Sequence, residues 1–198
     1  MESTLAPVQD NALATLPAWA APATPERNYT TVGISADGLL YIYGETAASP
    51  GPLLPSVIGV VLDAQFTQLG GTSRYGIRDY LDLYLGTVIP GECVVLRLPC
   101  GARPHPETGA LQTPWSIRSL LGALLLLDLQ ETAIKLQTKR GNTTTFFRVF
   151  PHSADGVEQP EVRAESIGPG QDDLEAAVNR LRGQLGLPLL PLSTIIDV

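Results

Sequence analysis

In the stretch RDYLDLY, residues 78 to 84, Arg78, Tyr80, Asp82 and Tyr84 alternate with Asp79, Leu81 and Leu83, and Leu85 follows in the same phase. Successive side chains of a strand point to opposite faces, so this pattern buries an aliphatic face and sets two tyrosines, an arginine and a carboxylate together on the other. The loop just before it, LGGTSRYG, puts Arg74 beside Tyr75, and the strand-like ECVVLRLP that follows carries Arg97. Further on, Lys135, Gln137 and Lys139 alternate against Ile134 and Leu136, and Arg140 takes the basic side into a turn. Beyond that turn Phe146, Arg148 and Phe150 share one face, with Phe147 and Val149 on the other. Flat rings with cations between them are what an unpaired nucleic-acid strand requires, since bases stack on the rings and phosphates pair with guanidinium and ammonium groups. The same residues have a plainer use. Tyrosines pack across neighbouring strands in many β-proteins, and the phenylalanines weigh toward core packing. Asp82, between two tyrosines, implies a wet face; a carboxylate there repels phosphate unless it orients an arginine or reads an exocyclic amine.

Catalytic chemistry finds less support. His105-Pro106-Glu107 has the His-x-Glu spacing of zinc deaminases, but that site needs a Cys-x-x-Cys pair downstream, whereas Cys93 and Cys100 lie upstream. With two histidines and two cysteines in the chain, an ordinary metal site is not expected, and neither is a disulfide scaffold. The sequence holds no G-x-x-x-x-G-K-[ST] phosphate cradle and no G-x-S-x-G nucleophile elbow. The expectation is a non-catalytic protein without metal or cofactor.

The elements that must position these side chains are readable in outline. TTVGISADGLLYIYGE reads as a hairpin turning at Asp37-Gly38, and TAASPGPLLPS breaks it with three prolines. From Val57 three strands follow. The segment PWSIRSLLGALLLLDL repeats Trp115, Ile117, Leu120, Leu121, Leu124 and Leu125 at helical spacing, with Thr113 as the expected N-cap and Pro114 in the first turn. TAIKLQTKRGNTTTFFRVFP then reads as a second hairpin. After a polar, flexible stretch, Leu174, Ala177, Val178, Leu181 and Leu185 line one face of a helix expected to be capped by Asp172.

Three strands, one helix and two strands make the layout of a five-stranded barrel with a helix between its third and fourth strands. Over residues 57 to 151 the chain thus resembles the OB-fold single-stranded DNA-binding proteins. The resemblance implies a mainly β, OB-fold-like barrel that binds single-stranded DNA, or RNA, through Arg74, Tyr75, Arg78, Tyr80, Tyr84, Arg97, Lys135, Lys139, Arg140, Phe146 and Arg148. It also implies self-association and a protein partner recruited by the C-terminal tip, where Ile195, Ile196, Asp197 and Val198 keep the hydrophobic and acidic character but lack the family's acidic run. The alternative is an interaction or assembly module built on the same barrel.

The expected organisation is an Ala/Pro-rich arm over residues 1–28, a barrel domain with its N-terminal hairpin over 29–151, and an acidic linker, helix and tail over 152–198. Trp19 stands out in the arm as an anchor onto the domain or a neighbouring chain. The net charge of −7 is uneven: residues 58–150 carry nine basic and seven acidic groups, while the flanks are strongly acidic. The arm has the wrong charge pattern for a secretory or organellar leader, and no apolar run is long enough to span a bilayer, so a cytoplasmic location is expected.

Overall fold

The computed structural model describes residues 28–35, 37–43, 51–69, 78–87, 92–105, 107–142, 144–153 and 156–191. Ten strands and two helices occur among them: β1 (Asn28–Ile34), β2 (Leu40–Ile42), β3 (Leu53–Leu54), β4 (Val57–Leu69), β5 (Arg78–Gly86), β6 (Glu92–Pro99), β7 (Arg103–Pro104), β8 (Leu111–Gln112), α1 (Trp115–Leu124), β9 (Ala133–Arg140), β10 (Thr145–His152) and α2 (Gln171–Gln184). Eight strands form one curled sheet in the order β10-β9-β4-β5-β6-β1-β2-β3, and β7 and β8 pair separately as a short ribbon.

The mainly β class, the five expected strands and the helix between the third and fourth of them are all present. The closed five-stranded OB barrel is not: the sheet is a curled half-barrel of mixed pairing. Closing five strands would require β6 to pair with β10, and both edges are already taken. β1 runs parallel to β6 from Asn28↔Glu92 to Val32↔Leu96. On β10, the chain returning from His152 covers the edge, with the Val162 N–H donating to the Val149 carbonyl (2.8 Å) and the Gln159 N–H to the Pro151 carbonyl (2.7 Å). The segment expected to be flexible is thereby tied to the sheet. The two ends of the half-barrel approach each other at one rim, where Arg140 donates to Asp37 at 3.0 Å. Gly38 makes that approach possible: it turns with φ 77°, and a Cβ there would lie 2.5 Å from the Thr145 hydroxyl oxygen.

The concave side holds the core. Leu81, Leu83, Leu85, Leu96 and Leu98 from the sheet meet Ile117, Leu120, Leu121 and Leu124 of α1 and Leu174, Val178 and Leu181 of α2, all essentially inaccessible to water. Each such leucine contributes roughly 1.5–3 kcal/mol relative to exposure. The helix starts differ from expectation. Pro114, not Thr113, occupies the N-cap of α1, because the Thr113 hydroxyl donates instead to the Pro169 carbonyl (3.2 Å). Gly170, not Asp172, occupies the N-cap of α2, and the Asp173 carboxylate reaches back to accept the Gly170 N–H at 2.9 Å.

Candidate binding face on the outer side of the sheet

Register decides which side chains share the convex face. Tyr80, Asp82 and Tyr84 of β5 stand opposite Pro99, Arg97 and Val95 of β6. Parallel pairing of β1 with β6 sets Tyr29 opposite Cys93, and antiparallel pairing with β2 sets Tyr41 opposite Gly33. With two-residue alternation, five of the six tyrosines therefore gather on one face. The Tyr29 and Tyr84 rings meet edge to face with centroids 5.9 Å apart, and Tyr41 and Tyr43 lie 5.1 Å apart. Gly33 lets Tyr43 settle onto the sheet, since a Cβ there would come within 2.7 Å of its ring. Tyr29 remains 53% exposed and Tyr43 42%, and Leu53 beside them is 60% exposed.

At the centre of this face sits an ion pair with good geometry. Arg97 donates from Nε to Asp82 Oδ1 (2.8 Å) and from Nη2 to Oδ2 (2.6 Å), and the Thr67 hydroxyl donates to Oδ2 at 3.0 Å. Asp82 is fully buried, so the wet face expected around it is corrected: the carboxylate lies beneath the guanidinium and the Thr67 side chain and never meets solvent. It orients an arginine, one of the two roles open to it. The hydrogen bond from Arg97 to Asp82 raises the arginine pKa further. Burial, then a hydrogen bond with Tyr41, pushes the Tyr43 hydroxyl well above the ordinary tyrosine range. Burial, then the Asp82 charge, raises Tyr84 as well.

The basic residues share the same face but not the same place. Lys135 stands opposite Ile58 of β4, and Lys139 and Arg148 lie farther out on β9 and β10, so β4 with its polar Asp63, Gln65 and Thr67 separates them from the tyrosines. Two of these three cations have an internal carboxylate, and so do Arg140 at the end of β9 and Arg182 off the sheet. Lys135 pairs with Glu158 (2.6 Å), Arg148 with Glu161 (2.9 Å) and Arg140 with Asp37 (3.0 Å); Arg182 of α2 closes on Asp63. Lys139 is exposed at the rim. The phenylalanines divide. Phe147 is in the core, the buried Phe150 ring lies between Arg148 (4.7 Å) and Lys135 (5.8 Å), and Phe146 is half-buried against Gly141.

The structure thus brings Tyr80, Tyr84 and Arg97 together and keeps them apart from Lys135, Lys139, Arg140, Phe146 and Arg148. Arg74, Tyr75, Trp19, Ile195, Ile196, Asp197 and Val198 lie outside the described residues, as does the side chain of Arg78. Tyr29, Tyr41 and Tyr43 belong to the face although the sequence reading did not place them there. The alternation of Tyr41 with Tyr43 was the available signal, but nothing local announces that β1 joins β6. Burial raises the Cys100 thiol to about 12, which is no condition for a nucleophile. Among the described residues no cluster of three or more His, Cys, Asp or Glu side chains could hold a metal ion, and no helix is long and apolar enough to cross a membrane. His105 lines a cleft of about 550 Å³ at the mouth of the half-barrel with Arg103 and Trp115, away from the tyrosines. Compared with known proteins, the chain matches no family model, no curated protein and no solved structure.

Proposed function

We propose that the protein is a non-catalytic interaction module whose tyrosine face holds an uncharged, extended segment of polypeptide. The observation that carries this reading is the contrast in pairing: rings on the face are left open, while Arg97 at its centre is neutralised by a buried carboxylate. Tyrosine supplies a large rigid contact area at small entropic cost, with a hydroxyl for backbone carbonyls. A phosphate track needs cations without internal partners, and Lys135, Arg140 and Arg148 each have one. A photo-crosslinking residue in place of Tyr43 tests the proposal, with exposed Leu126 on the other side of the molecule as control. Protein adducts at position 43 and none at 126 are expected; equal labelling at both sites would overturn it.

Single-stranded nucleic acid is the second reading, favoured by the open Tyr29 and Tyr43 rings and by the exposed Lys139 on the same sheet face. Anisotropy of a labelled oligodeoxythymidine decides between them. Saturable binding that weakens with salt and is lost in Tyr29→Ala, Tyr84→Ala would establish the second reading over the first. The same face can also meet a second copy of the chain, in which case sedimentation of the wild type shows a dimer that Tyr43→Ala dissociates.

A further inference from the structure

The chain itself contains a segment with the chemistry this face would accept. Residues 11–25, NALATLPAWAAPATP, carry no charged group, three prolines and Trp19, in a protein with 33 charged Asp, Glu, Lys and Arg residues. They end two residues before β1, whose second residue is Tyr29, at the edge of the tyrosine face. We propose that residues 11–25 dock in extended polyproline form across the tyrosine face of the same chain, so that the arm and any outside partner compete for it. The proposal rests on the reading of that face as a peptide-binding surface.

Three physical considerations support it. Aromatic-lined surfaces recognise polyproline segments because proline holds φ near −65° in advance, so little conformational entropy is lost on docking. Charge is complementary in the sense that neither side brings any: an uncharged segment meets a face whose central Arg97 is compensated by Asp82. Reach is ample. At about 3.1 Å per residue the segment extends roughly 45 Å, whereas the seven residues of β1 span about 23 Å. The tether also raises the local concentration of the segment to the millimolar range, so weak intrinsic affinity suffices for occupancy.

The test uses the full chain with Trp115→Phe, which leaves Trp19 as the only tryptophan and changes a helix-start residue outside the face. Acrylamide quenching of Trp19 is compared with that of a synthetic peptide of residues 11–25. The expected result is quenching reduced severalfold in the protein, independent of protein concentration, and restored to the peptide's value by Tyr29→Ala, Tyr43→Ala. Pro17→Gly, Pro22→Gly reaches the same end from the arm with the face intact, which guards against a tyrosine variant that misfolds. Quenching equal to the peptide's in the parent chain would overturn the proposal, and so would protection that disappears on dilution, since the arm of a second copy would then be the occupant. Crosslinking at position 43 to a separate protein, with Trp19 fully quenchable, would sink the arm's role and leave the face's function standing.

Discussion

The tyrosine half and the cation half of the convex face lie on one sheet and follow the same alternation, yet they treat polar groups differently. In the tyrosine half the charge is inside: Asp82 is fully buried, and Arg97 folds over it between rings that stay accessible. In the cation half the charge is outside. Lys135 and Arg148 are met by Glu158 and Glu161, supplied by the segment that returns along β10. One half uses an ion pair as foundation for an open aromatic surface, and the other uses carboxylates to quiet cations that would otherwise attract an anion. Side chains of the right type on the right face are therefore not yet a site; what stands beside them decides.

The sharpest way to break the comparison is to remove one arginine from each half. Arg97→Ala strands a buried carboxylate and is expected to cost about 4 kcal/mol, whereas Arg148→Ala opens a partly exposed pair and is expected to cost less than about 1 kcal/mol. Urea denaturation of the two variants measures both, and equal losses would erase the distinction between the two halves. Tyr84→Ala, which removes a half-buried ring and its edge-to-face contact with Tyr29, is expected to fall between them at about 2 kcal/mol.

Smaller effects should separate the halves by pH. Lys135 lowers the pKa of Glu158 through its hydrogen bond, and Arg148 does the same to Glu161. Their folded values lie below the unfolded ones, so the stability they contribute is present above about pH 4.3 and is lost as the pH falls through the lowered values. Tyr43 and Tyr84 are shifted the other way, by burial first. Their folded values exceed the unfolded ones, so stability holds below about pH 10 and declines as the pH rises toward them. Urea midpoints across the pH range should show Arg148→Ala flattening the acid limb alone and Tyr43→Phe flattening the alkaline limb alone. Either substitution acting on the opposite limb would contradict the assignment.

Much of the fold was legible because it is written in short periods. Alternation along residues 78–85 set the buried leucines and the outward-facing, half-buried tyrosines, the 3.6-residue spacing of Ile117, Leu120, Leu121 and Leu124 set α1, and Asp37-Gly38 set the first turn. Asp82 was misjudged as wet because alternation assigns a face and not a depth: the guanidinium that covers it comes from β6, fifteen residues away. The helix caps at Thr113 and Asp172 were misplaced for a similar reason, since Thr113 is drawn off by Pro169, a partner distant in sequence.

The sequence by itself determined the periods, the turns, the aliphatic core and the unusual lack of charge in residues 11–25, because each depends on neighbours within a few positions. Only the tertiary structure decided that β1 lies parallel against β6 and keeps the barrel open, that Tyr29, Tyr41 and Tyr43 join Tyr80 and Tyr84, and that acidic residues from beyond β10 neutralise the cations. These are matters of strand partnership. Pairing energy comes from whichever edges meet after the chain has closed long loops, and no local pattern encodes which edges those will be.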